Sequence, residues 1–187
     1  MRNKADISYV LKKSLRNSTK LNQKGLAAKA KVANATVSDN SNGRVATFDK
    51  AVNYAKAFEE ADENIALNDL TSDFSYSYLG FLKSMDGPLA DICTTSELDI
   101  FQKMESEERK ERKNRAELLI VHSKIRSLDS VERNELKQYV LEFLDEIIVE
   151  LAIVFSILKI IGMSIQEAMS LKMPEWVAKK YMRGNDV

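Results

Sequence analysis

Apolar positions recur at three- and four-residue steps along most of this chain, a period that predicts helices. Ile7, Val10, Leu11 and Leu15, with Tyr9 beside them, predict a helix over residues 6–17. Leu26, Ala27 and Ala30 belong to a second helix running from a cap at Asn22 to about residue 31. Thr36 and Val37 lie on a third, opened by Ala33 or Asn34 and stopped by Asn42-Gly43, a pair that accepts the left-handed conformation ending many helices. Thr47 is placed to cap a fourth, with Phe48, Ala51, Val52, Ala55 and Phe58 on its inner side. Residues 59–96 read as a short acidic helix, an apolar helix through Phe81 and Leu82, and a turn at Asp86-Gly87-Pro88. The partial alternation of Phe74, Tyr76, Tyr78 and Phe81 leaves a strand open as the other reading there.

Residues 97–128 predict one long helix, apolar at its two ends and almost wholly charged over residues 105–117. Glu105–Arg109, Glu108–Arg112 and Glu111–Arg115 stand at the favourable i,i+4 spacing. A segment polar all round ordinarily crosses solvent, so residues 105–117 read as a bridge between packed regions. Ser130 then caps a helix over residues 131–161 whose apolar positions form two stripes, one through Leu136, Val140, Phe143, Ile147, Leu151, Val154, Leu158 and Ile161, the other through Leu141, Leu144, Ile148 and Phe155. Gly162 ends it, Ser164 caps a short helix through Met173, and Pro174 starts a last one. The expected architecture is all-α, with a helical head at residues 1–60, a connector at 61–104, the charged bridge at 105–117 and a helical dimerisation or effector domain at 118–187.

Charge sharpens this division. The formal net charge is zero, yet residues 1–58 hold 12 Lys/Arg against 3 Asp/Glu, a balance of +9, and the remaining 16 Lys/Arg and 25 Asp/Glu leave −9 on residues 59–187. A basic head on an acidic body attracts a polyanion to the head. The single cysteine, Cys93, excludes an intramolecular disulfide framework and fits a reducing, cytoplasmic setting. The stretch over residues 147–163 is apolar but carries Glu150 and Lys159 and is shorter than the ~20 residues a membrane span needs, so a buried helix rather than a membrane segment is expected.

The two short helical patterns over residues 22–44 have the spacing of a helix-turn-helix, in which the second helix enters a DNA major groove. Gln23, Leu26, Ala27, Val32, Thr36, Val37, Ser38, Asn42 and Gly43 match without a gap the pattern of the Cro/lambda-repressor type of regulator, which the first 58 residues resemble. The segment from Phe48 through Tyr54-Ala55-Lys56-Ala57-Phe58 is similar to that family's fourth helix. Three positions depart from it: Lys31 stands at the usual turn glycine, Asn40 where an apolar anchor is usual, and Lys24-Gly25 where acids are common. The resemblance implies double-stranded DNA as partner. By the motif's docking geometry Asn34, Ala35, Thr36 and Asp39 face base edges. Gln23, carried over from the family, reaches a phosphate, and Lys20, Lys24, Asn42 and Arg44 are the further backbone contacts.

Catalysis has no constellation to build on. His122 is the only histidine and no glycine-rich phosphate loop appears, so neither a catalytic site, a metal site nor a cofactor is expected. The helical C-terminal part also lacks the β-rich fold and Ser-Lys pair of self-cleaving phage repressors. The expected function is a sequence-specific, repressor-like transcriptional regulator, with a phage or mobile-element type left open, binding operator DNA as a homodimer whose interface includes some of Phe143, Ile147, Leu151, Val154, Phe155 and Leu158. The methionines Met163, Met169, Met173 and Met182 around Trp176 leave room for a protein or peptide effector, or are core filler. The competing expectation is a helical antirepressor or adaptor whose head has lost DNA binding, and a bundle covering both stripes of residues 131–161 internally competes with the dimer.

Overall fold

A computed structural model describes residues 3–81, 83–85, 87, 89 and 93–182, and among these it is all-α. The helices are α1 (Ser8–Asn17), α2 (Gln23–Lys29), α3 (Asn34–Ser41), α4 (Phe48–Glu59), α5 (Asn64–Leu79), α6 (Thr95–Ser123), α7 (Ser130–Ile161) and α8 (Ile165–Ala178). Two strands of two residues each, β1 (Lys4–Ala5) and β2 (Ala46–Thr47), pair antiparallel with Lys4 opposite Thr47. The chain divides into two units, Met1–Lys83 with Ile157–Val187, and Ser84–Ser156.

The first unit contains the predicted head but is larger than residues 1–60. Its core joins Ile7, Val10 and Leu11 of the N-terminal segment, Leu26 and Val37 of α2 and α3, and Tyr54 and Phe58 of α4 to Leu67, Leu70 and Tyr78 of α5. Thus α5 is part of the head rather than a connector, because its apolar face closes the core that four short helices leave open. The inner face of α4 also differs from the expected one. Tyr54 and Ala57 are buried with Ala51 and Phe58, whereas Phe48 is exposed. Gly80, at φ +66°, ends α5 with a left-handed cap, so Phe81 lies beyond the helix and is exposed. Asp86 and Pro88 of the predicted turn, and Leu82 at the end of the predicted helix, lie outside the described residues.

Carboxylates and amides tie this unit together at its loops. Glu63 Oε1 accepts from the backbone N–H groups of Thr19 and Lys20 and from Ser18 Oγ, at 2.6–2.9 Å. Burial works to raise the Glu63 carboxyl, but these donors prevail and hold it below the usual range. Asn68 accepts from the Ile165 N–H at 2.7 Å and donates to the Met163 carbonyl, while Asn64 donates to the Gly162 carbonyl at 2.8 Å. Two asparagines of α5 thereby satisfy the turn that leads into α8. Ser164 and Glu167 complete a capping box there, as the expected cap requires. One helix then runs to Ala178 with Pro174 inside it, where two helices were expected. No residue of α8 is buried, and Met169 and Met182 are exposed, so these methionines do not fill a core.

The second unit is an antiparallel pairing of α6 with the part of α7 up to Ser156. A capping box of Thr94 and Glu97 opens α6. The start of α7 is capped by Asp129, not Ser130: Glu132 N–H donates to Asp129 Oδ1 at 2.9 Å and Asp129 N–H returns to Glu132 Oε2 at 3.1 Å. The charged stretch over residues 105–117 pairs across the hairpin instead of bridging through solvent. Arg109 donates to Glu146, Arg112 to Glu142 at 3.0 Å and Arg115 to Glu135 at 2.8 Å, in place of the expected i,i+4 pairs. Arg109 also lies 4.4 Å from the ring centre of Phe143. At the closed end Arg126 grips Glu132 with two nitrogens, at 2.6 and 2.8 Å. This grip, with the Asp129 N–H, draws the Glu132 carboxyl down to about 2. Among the described residues no single helix is long and apolar enough to cross a membrane.

Candidate nucleic-acid interface

The predicted reading elements, α2 and α3, meet through a turn that satisfies its own backbone. Asn22 caps α2 by accepting from the Gly25 N–H at 2.9 Å. At its far end Val32 N–H reaches the Ala27 carbonyl at 3.0 Å and Lys31 N–H the Ala28 carbonyl at 3.3 Å, the two bonds of a Schellman stop. That stop needs a left-handed residue, and Lys31 supplies it at φ +54°. The side chain absent from a glycine is carried here outward, since Lys31 is exposed. Leu26, Ala27, Ala30 and Val37 are buried and hold the two helices together.

Asn40 replaces the usual apolar anchor with a buried hydrogen-bonded one. It is 2% exposed, receives the Tyr54 hydroxyl on Oδ1 at 2.8 Å and donates from Nδ2 to the Arg44 carbonyl at 2.9 Å. The first bond ties α3 to α4 and the second fixes the loop that carries Arg44. Burial pushes the Tyr54 hydroxyl up to about 12, so it stays protonated and donating through the physiological range.

On the outer side of α3, Asn34 and Ala35 are exposed and Thr36 is half-buried. Asp39 and Arg44, assigned on sequence to base and phosphate respectively, are joined to each other by a 2.7 Å ion pair. Both remain open to solvent, and an ion pair between exposed groups typically contributes about 0–1 kcal/mol, little enough for a stronger anion to displace it. Asn42 and Lys24 are exposed and Gln23 is half-buried. The Lys20 ammonium bonds to the side chain and carbonyl of Asp62 at 3.0 and 3.1 Å, in another exposed pair.

A cleft of about 260 Å³ lies beside α3, lined by Thr36, Asp39, Asn40, Arg44, Val45, Thr47, Lys4 and Lys50. Lys4 and Lys50 are the residues that sequence reasoning missed. Nothing local marks either one: the β1–β2 pairing brings Lys4 opposite Thr47, and Lys50 arrives on the first turn of α4. With Arg44 they put three cations in the lining, against the one carboxylate of Asp39, together with the hydroxyls of Thr36 and Thr47.

Elsewhere, the carboxylates of Glu105, Glu108 and Glu142 gather within 4.8 Å of one another. Burial and then the charges of Glu108, Asp145 and Glu142 raise the Glu105 carboxyl above its usual range, while Arg112 neutralises Glu142. His122 is half-buried near the end of α6, its Nδ1 without a hydrogen-bond partner among the described residues, and Cys93 is partly exposed. Comparison with family models, with curated proteins and with solved structures returns no match to this chain.

Proposed function

We propose that the protein is a sequence-specific DNA-binding regulator of transcription, reading base edges with the exposed start of α3 and seating a backbone phosphate in the cleft of Lys4, Arg44 and Lys50. The observation that carries this reading is that cleft. It sets three cations in one lining with the half-buried Thr36, which follows the exposed, uncharged Asn34 and Ala35 on α3, so positioning and reading groups share one surface. The chain's positive balance lies in the same segment, residues 1–58. Lys31 and Asn40 add support, because each departure from the family pattern is accommodated in place, by a left-handed turn residue and by the Tyr54 hydroxyl.

In this reading the Asp39–Arg44 pair opens on binding. Arg44 turns to phosphate, and Asp39 is released to accept from a cytosine amino group. Asn34 pairs with adenine, and each good base contact discriminates by about 1–3 kcal/mol. Selection from pooled genomic fragments, followed by titration of the selected duplex at several salt concentrations, tests the reading. Affinity falls by orders of magnitude across roughly 50–200 mM salt when several phosphates are engaged. Asn34→Ala lowers affinity for the selected duplex alone, whereas Lys50→Ala and Arg44→Ala weaken selected and random duplexes alike. No enrichment of any fragment, or a salt-independent interaction, overturns it.

A further inference from the structure

Asn42-Gly43, at the end of α3, is the one place in the sequence where an asparagine precedes a glycine. Both residues are exposed. The Asn42 side-chain amide makes no hydrogen bond among the described residues, and neither does the Gly43 N–H. The stop of α2 is different: there the residue in the same place, Lys31, gives its N–H to the Ala28 carbonyl. At the end of α3 only the outer bond forms, from the Arg44 N–H to the Asp39 carbonyl at 3.0 Å. Open space surrounds the point where a Cβ on Gly43 would sit, so nothing crowds an approach to its nitrogen. By contrast, Asn40 and Asn68 are buried with their amides bonded.

We propose that Asn42 is a self-modifying site, whose amide converts to an acid through the Gly43 nitrogen. Base removes the Gly43 N–H proton, and the nitrogen attacks Asn42 Cγ. A bond forms from Gly43 N to Cγ, the Cγ–Nδ2 bond breaks and ammonia leaves, so that a five-membered succinimide ring remains. Water then opens the ring at either carbonyl, giving aspartate or the isomer in which the backbone runs through the side chain. Asparagine is among the thermolabile residues, and a glycine after it hinders the ring closure least. The attack requires rotation about the Asn42 ψ, which is 21° in the closed turn. The Arg44 N–H bond to Asp39 and the Asn40 bond to the Arg44 carbonyl oppose that rotation, so conversion waits on opening of the turn. The product carries a negative charge two residues before Arg44, in the segment that holds the chain's positive balance. A charge-changing modification acts through the same electrostatics as any other charge. Its consequence for DNA rests on the reading proposed above: attraction to phosphate weakens for every sequence alike, and affinity falls with the age of the molecule. The conversion itself needs no DNA.

Incubation of the full-length chain in mildly alkaline buffer, followed by tryptic mapping, tests the proposal. The peptide of residues 32–44 acquires the mass of one amide-to-acid exchange at Asn42, with isoaspartate as the larger product. The rate rises with pH and is lower in the folded chain than in the free peptide. Asn42→Gln, whose longer side chain cannot close the five-membered ring, stays unmodified. Aged wild-type protein binds selected and random duplexes about fivefold more weakly than fresh protein, the effect of one unit charge near 4 Å in water. Asn42→Gln keeps its own starting affinity over the same period. An Asn42 that remains an amide in the folded chain while the free peptide converts overturns the proposal, as does conversion confined to Asn17 or Asn34. Converted protein that binds DNA as fresh protein does overturns the loss of affinity. If fresh protein binds no DNA, the DNA-binding reading fails by itself and the mass shift still decides the proposal.

Discussion

The Tyr54 hydroxyl donates to Asn40 Oδ1 over 2.8 Å at a site where both side chains are almost completely buried. This one bond joins the proposed reading helix to the helix behind it and orients a residue that in turn holds the Arg44 carbonyl. Tyr54→Phe is expected to cost about 1–3 kcal/mol in urea denaturation, because it strands a buried acceptor. Adding Asn40→Leu should cost less than the sum of the two single changes, since both ends of the bond are then apolar. Strict additivity in that cycle would falsify the coupling.

Alkali should act on the same unit. Burial pushes Tyr54 and Tyr78 each up from 10 to about 12. In the unfolded chain both lose their protons near pH 10, while in the folded chain they keep them. The folded state thus binds more protons over this window, and stability falls as pH rises from about 10 to 12. Thermal melts across that range should decline less steeply in Tyr54→Phe, and an unchanged slope would contradict the assignment.

Lys31 stands at φ +54°, where an ordinary side chain costs about 1–2 kcal/mol. Lys31→Gly relieves that contact at the expense of a more flexible unfolded chain, and should stabilise the protein by about 1 kcal/mol. Lys31→Val, β-branched at the same angle, should destabilise it. Chemical denaturation midpoints of the two variants moving in the same direction would refute this account of the turn.

In the second unit, acid should unfasten the hairpin at its closed end. The Arg126 grip lowers Glu132 from 4.5 to about 2, so its contribution is fully present above pH 4.5 and is lost as pH falls toward 2. Glu132→Gln should weaken the hairpin at neutral pH and flatten its response over that interval. Hydrogen exchange of amides in residues 126–135 reports the opening, and a variant with the wild-type acid profile would rule the grip out as its source.

Much of the helix order was legible because three- and four-residue periodicity survives burial, and because Asn22, Gly43, Gly162 and Ser164 sit where their conformational preferences are used, whereas the stop at Gly80 was passed over. The cap at Asp129 was readable in principle, since Glu132 stands three residues on, yet the neighbouring Ser130 offers the same chemistry one step later. The pairing of α6 with α7 was not legible. The arginines at 109, 112 and 115 have acids four residues before them, and sequence spacing cannot say whether a guanidinium turns along its own helix or across to another. Lys4 and Lys50 escaped for a different reason: they reach the cleft through tertiary pairing, with no local pattern to announce them.

The asparagine clip between α5 and the start of α8 sets an order of events on the ribosome. Every side chain of the head's apolar core has been made once Tyr78 is incorporated, whereas the carbonyls and N–H that Asn64 and Asn68 bind belong to residues 162–165. At the usual 5–20 residues per second, roughly 4–17 s of synthesis separate the two. For that interval a nascent chain carries the complete head core while two of its amide side chains still await their partners.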